Sequence, residues 1–235
     1  MLVELALLCV ATCGVAEPAP RPNIVLITAD NLGYGDLGCY GNSVVKTPHL
    51  DRLAQQGVRC TDFYTASPTC TVSRASLLTG RYPQRHGLTW QLPGIEGNYG
   101  VGLRHTEILL PQLLGQAGYR TACFGKWNIG FAAGSRPTER GFDEFFGHAS
   151  GNIDYDNHIY NGRLDLHRGT EPVRVEGYCT DLFADAACRF IRGHASRPFF
   201  VYLPLNAPHF PNPKNKAPGQ PCIWQAPDRA LAAYG

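Results

Sequence analysis

The chain reads as an α/β fold, a mostly parallel sheet sandwiched by helices, and three observations predict it. Short apolar runs rich in β-branched and aromatic residues alternate with segments of helical spacing. Three of the helical segments stop at a glycine, Gly57, Gly80 and Gly118. The residues that follow the apolar runs are unusually polar, as they are where an open sheet delivers side chains to a ligand cleft.

The first strand is read over Asn23 to Thr28. A helix follows, capped at Thr47, with Pro48 at its first position and Leu50, Leu53 and Ala54 on one face. Val58 to Tyr64 reads as the second strand, and a second helix runs from Val72 to Gly80. A third helix spans Leu109 to Gly118 and leads into the third strand, Tyr119 to Phe124. Arg136 to Val175 is rich in Gly, Asn, Asp and His without periodicity, which predicts loops and short strands around a cleft. Leu182, Phe183, Ala186, Phe190 and Ile191 fall at helical spacing between Asp181 and Arg192, and the fourth strand is Pro198 to Leu203. Strands alternating with helices argue a largely parallel sheet covered on both faces.

With 235 residues, 44% hydrophobic and 17% charged, the chain can bury one sizeable core. A net charge of +2 with scattered Lys and Arg leaves no footprint for nucleic acid, and a small anionic substrate is expected instead. Leu2 to Val15 is mostly apolar and ends in Gly14-Val15-Ala16 before a Pro-rich stretch. Residues 1–16 are therefore read as a signal peptide, which predicts a secreted or periplasmic protein. A buried N-terminal strand or helix is the alternative. The run is shorter than the ~20 apolar residues of a membrane span. Of nine cysteines, Cys9 and Cys13 would leave with the signal, and the odd remainder of seven suits one modified residue. Their spacings match no CxxC metal site, several lie in apolar strands as small hydrophobes, and no disulfide is expected.

The chemistry is expected after the strands. Ala29-Asp30-Asn31 follows the first, Cys70 and Arg74 lie beyond the second, Gly125-Lys126-Trp127-Asn128 follows the third, and Asn206-Ala207-Pro208-His209 the fourth. An acid, a thiol, two cations and a histidine thus converge on one rim. A thiol entering a helix faces unpaired N–H groups and the positive end of the dipole, and Arg74 adds to that field. Taken singly, each has a plainer reading. Cys70 could be an inert buried thiol, Asp30 a cap, Lys126 a surface cation beside a packing aromatic, and His209 a hydrogen-bonded core histidine.

Cys70-Thr71-Val72-Ser73-Arg74-Ala75-Ser76-Leu77-Leu78-Thr79-Gly80 resembles the signature of type I sulfatases, C-x-P-S-R-x-x-L-x-x-G, with Val72 where the pattern has proline. The likeness covers most of Arg21 to Pro213. It implies an alkaline-phosphatase-like fold and a Cys70 oxidised to formylglycine by a formylglycine-generating enzyme. It also implies Ca²⁺ (or Mg²⁺) held by Asp30, by Asn31 in place of a second aspartate, and by the modified Cys70. Lys126 and Asn128, in a G-K-W-N segment where the family has G-K-W-H, then bind sulfate, with a weaker part for Ser150. Arg74 would hold the hydrated aldehyde, one hydroxyl of which attacks sulfur, and His209 would bind substrate and protonate the leaving oxygen. The implied reaction is hydrolysis of a sulfuric ester, a small molecule or a sulfated carbohydrate. A phosphoric or phosphonic ester hydrolase, and a non-catalytic protein that holds sulfated carbohydrate, remain as alternatives. The family's further metal ligands and second lysine come from beyond Gly235. Residues 21–235 are therefore expected to be an incomplete N-terminal catalytic domain that exposes an apolar sheet edge.

Overall fold

A computed structural model describes residues 21–210 and 225–233. The segment read as a signal peptide lies outside them, as does Cys222. Eight strands are described: β1 (Ile24–Asp30), β2 (Arg120–Lys126), β3 (Glu144–His148), β4 (Ile159–Tyr160), β5 (Arg163–Leu164), β6 (Leu166–Arg168), β7 (Glu171–Pro172) and β8 (Phe199–Pro208). The helices are α1 (Pro48–Gln56), α2 (Cys70–Thr79), α3 (Pro83–His86), α4 (Gly94–Asn98), α5 (Leu110–Gln116), α6 (Cys179–Gly193) and α7 (Asp228–Ala232).

Six strands form one sheet in the order β1-β8-β2-β3-β6-β7, and β4 pairs with β5 as a separate ribbon. The β1–β8, β8–β2 and β2–β3 pairs are parallel, whereas β6 and β7 add antiparallel. Alternate residues of the central strands feed two cores, as the pleat requires. Cys123, Phe145, Phe200 and Tyr202 join Ala75 and Leu78 of α2 on one face. Ala122, Phe124, Phe146, Val201 and Leu203 meet Phe183, Ala187 and Phe190 of α6 on the other. The predicted helix-covered parallel sheet is thus present at its centre. Val25 and Ile27 of edge strand β1 stay 45% and 55% exposed.

Three expectations are corrected. Val58 to Tyr64 is not a strand: Val58 is 92% exposed, and side chains rather than a ladder satisfy this backbone. The Tyr40 hydroxyl donates to Cys60 O (2.7 Å), and Phe63 N–H donates to the Tyr34 hydroxyl (2.8 Å). Conversely, Glu144–His148 pairs in the central sheet although it lies in a stretch read as loops and short strands. Thr47 does precede α1, but its hydroxyl donates to Asp51 (2.9 Å) and accepts Gly38 N–H (2.8 Å) instead of capping the first turn.

β2 is squeezed between β3 and β8 at its carboxyl end. Gly125 adopts φ +135°, and a Cβ there would lie 2.2 Å from Pro204 O. A Cβ on the facing Gly147 would lie 1.9 Å from Gly125 O. Only glycine allows this approach, which sets the position of the next residue, Lys126. Gly147→Ala should therefore cost about 3 kcal/mol in chemical denaturation. Gly193→Ala, in open space at the end of α6, should leave the midpoint unchanged or raise it.

Candidate active site

Helix α2 starts at Cys70 because Thr69 before it is extended, and it stops at Gly80, whose φ of 65° ends the turn. Val72, Ala75 and Leu78 anchor it in the core. Cys70 is therefore half-buried on the first turn, and Arg74 is buried one turn on along the same side.

Asp30 ends β1, and Lys126 ends β2 with a fully buried side chain. The Lys126 ammonium donates to Asp30 Oδ2 (2.5 Å) and to Gly151 O (2.5 Å). Arg74 donates to the same Oδ2 (3.0 Å), to Lys126 O (3.0 Å) and to the Tyr202 hydroxyl (3.4 Å). Burial alone would raise the Asp30 carboxyl, but the two cations outweigh it and hold it below the ordinary carboxylate range. Burial, then the Arg74 charge, pulls the Lys126 ammonium down despite Asp30. Two buried cations and one carboxylate leave a positive excess at the base of the cleft.

Asn128 follows β2 with φ 54°, a region asparagine tolerates, and is buried. Its N–H donates to Ala149 O (3.1 Å), and its amide donates to Cys70 Sγ (3.2 Å). Asn31, also left-handed at φ 67°, lines the same cleft as Asp30, Cys70 and Arg74 but is exposed. The β1–β8 register sets Asp30 opposite Pro208, which brings His209 near Asp30. The His209 ring nitrogen Nδ1 sits 2.8 Å from Phe210 O. Ser150 is buried, and its backbone N–H donates to Asp165 (3.0 Å). The structure thus brings Cys70, Arg74, Asp30, Lys126 and Asn128 into one contact network. His209 stands at its edge, and among the described residues no hydrogen bond joins the Asn31 side chain to it.

Among the described residues, no group of three or more His, Cys, Asp or Glu could hold a metal ion. The single carboxylate, Asp30, already accepts from two cations, whereas Ca²⁺ takes six to eight oxygens. These residues alone do not fit a Ca²⁺ or Mg²⁺ site.

With this geometry in view, the sulfatase family model matches residues 22–235. The chain belongs to the sulfatase family. This sulfatase is 38% identical to the N-acetylgalactosamine-6-sulfatase of Rattus norvegicus over 218 residues, 84% of this chain and 41% of that protein. It is 46% identical to the steryl-sulfatase of Mus musculus over 153 residues, 59% of this chain and 24% of the relative. The crystal structure of Ps i-CgsB in complex with k-i-k-neocarrahexaose superposes with TM-score 0.80 at 34% identity, covering 91% of this chain and 48% of that one. A structure bound to its substrate D-glucosamine-2-N,6-O-disulfate matches at TM-score 0.67 and 30% identity, over 80% of this chain and 35% of that one. The sulfatase chain spans less than half the length of these relatives. Its α/β sheet is that of their alkaline-phosphatase-like fold. No helix among the described residues is long and apolar enough to cross a membrane.

Sequence reading missed Gln91, whose amide oxygen accepts from Cys70 Sγ (3.2 Å), because it lies in an unpatterned loop. It also missed Asp165, which is fully buried. Asp165 accepts from the Tyr99 hydroxyl (2.6 Å) and from the N–H groups of Ala149 (3.3 Å) and Ser150 (3.0 Å). It anchors the loop that presents Ala149 O to Asn128 and Gly151 O to Lys126. Burial raises its carboxyl from 3.8 to about 6 against those hydrogen bonds. The folded protein thus holds this proton more tightly than the unfolded chain, so stability is full below the unfolded value and lost as pH rises through the folded one. In thermal melts, the wild-type midpoint should fall relative to that of Asp165→Asn between about pH 4 and 6, then stay level above it.

Proposed function

We propose that this chain carries the nucleophile and the sulfate-binding groups of a sulfuric ester hydrolase. The observation that carries the reading is the buried positive excess, Lys126 and Arg74 sharing one carboxylate, directly behind Cys70. A tetrahedral anion seated against the thiol's helix end gains from both cations in a low dielectric. Cys70 suits conversion to formylglycine: it is half-buried at a helix start and its sulfur is flanked by one acceptor and one donor. That aldehyde, made by a formylglycine-generating enzyme and hydrated by water, would supply one hydroxyl that attacks sulfur as the alcohol leaves, and its second hydroxyl, on losing its proton, would expel sulfate and restore the aldehyde.

The chain's own residues do the rest. Lys126 and Arg74 stabilise charge on the sulfuryl oxygens, and Asn128 donates a hydrogen bond but has no proton to exchange at neutral pH. His209, at the end of β8 beside Asp30, protonates the leaving oxygen. No step is assigned to a metal ion. Sulfated carbohydrate is the substrate class that the N-acetylgalactosamine-6-sulfatase relative, the neocarrahexaose complex and the disulfated glucosamine complex support, while the steryl-sulfatase relative points to a sulfated sterol. The apolar run of residues 1–16 supports export to a secreted or periplasmic location.

The test is expression of the full-length protein with a formylglycine-generating enzyme, followed by peptide mass spectrometry at position 70 and an aryl sulfate assay. Conversion of Cys70 and sulfate release are expected, with Cys70→Ala lowering the rate about a thousandfold or more. An unconverted thiol without hydrolysis would leave only a binding protein. Release that survives Cys70→Ala would remove the nucleophile.

A further inference from the structure

Gln91 lies on the loop between α3 and α4, 21 residues past Cys70, yet its amide oxygen reaches the helix start. The oxygen accepts from Cys70 Sγ (3.2 Å) and from Thr71 N–H (3.1 Å). Because a backbone N–H can only donate, the Thr71 contact fixes which end of the amide faces the sulfur. The clasp is two-way, since Leu92 N–H donates to the Thr71 hydroxyl (3.3 Å). On the sulfur's other side stands Asn128 Nδ2 (3.2 Å). Behind both amides the chain is Gly151, where a Cβ would lie 3.3 Å from Gln91 Nε2 and from Asn128 Oδ1.

We propose that Gln91 is the positioning residue for the side chain at position 70: it takes that group's proton-bearing end while Asn128 donates to the same atom. An S–H held between one acceptor and one donor has a single favoured torsion. The acceptor is also neutral. A carboxylate there would cap the helix equally well but would cancel the positive excess supplied by Lys126 and Arg74, whose charges act on Cys70. After conversion, an oxygen-bearing group at position 70 meets the same acceptor. The assignment rests on Cys70 being the reactive group of the proposed hydrolase.

Thiol alkylation tests it without reference to turnover. The full chain is treated with iodoacetamide at fixed pH, and Cys70 is followed by peptide mass spectrometry against exposed Cys60 and Cys188 in the same molecule. The contacts to Gln91 and Asn128 hold the Cys70 sulfur at one torsion, which restricts its approach to the reagent. Gln91→Met, which removes the acceptor at similar volume, should speed Cys70 about three- to tenfold. Gln91→Glu, which keeps an acceptor at the same side-chain length, should not speed it. Buried Cys123 and Cys179 that stay unreactive show that the fold is retained, with Cys60 and Cys188 as the exposed references. A residue that merely capped α2 would leave the Met variant at the wild-type rate, and that result overturns the assignment, as does an equal acceleration in the Glu variant. Should the Met variant unfold, Gln91→Leu takes its place with the same two outcomes. Loss of the Gln91 effect would leave sulfate release by Cys70 untouched, and loss of sulfate release would leave the alkylation rates as measured.

Discussion

One carboxylate oxygen ties the site together. Asp30 Oδ2 accepts from Lys126 and from Arg74, and so joins the ends of β1 and β2 to the first turns of α2. Each of these ions costs several kcal/mol to take out of water, and their attraction repays it only where the remaining donors are also used. Here Gly151 O takes a second proton of Lys126, and Lys126 O and the Tyr202 hydroxyl take two of Arg74. The cluster therefore fixes the helix that presents Cys70 while leaving a net positive field in front of it. Stability and the proposed anion recognition draw on the same three side chains.

Much of this was legible in the chain. Asp30 and Lys126 each close an apolar run, and a parallel sheet places such residues on one rim. Cys70 and Arg74 fall one turn apart on a helix whose glycine stop is visible in the sequence. Glu144–His148 was not legible as a central strand, because five residues with a glycine and two polar ends carry little strand signal. Val58 to Tyr64 had the composition of a strand but no neighbour to pair with, and local propensity yielded to tyrosine hydroxyls. Gln91 and Asp165 act through distant partners, which no spacing along the chain encodes.

The two asparagines that stand where the family pattern has an aspartate and a histidine share a backbone property. Asn31 and Asn128 both have positive φ, where asparagine is enriched several-fold over most residues. Asn128 uses its amide to engage Cys70, and its N–H ties β2 to the loop after β3. Backbone geometry and polar contact agree at this position. Asn31 turns the chain at the end of β1 and leaves Asp30 free to face the cations.

The shared carboxylate is tested most directly by a double-mutant cycle on stability, with Asp30→Asn, Lys126→Met and the pair measured by chemical denaturation. Each single change should cost roughly 3–5 kcal/mol, because it strands a buried charge. The double variant should fall short of the sum by about 2 kcal/mol or more. Costs that add to within about 0.5 kcal/mol would mean that the two side chains do not depend on each other, and the site would lack its organising contact.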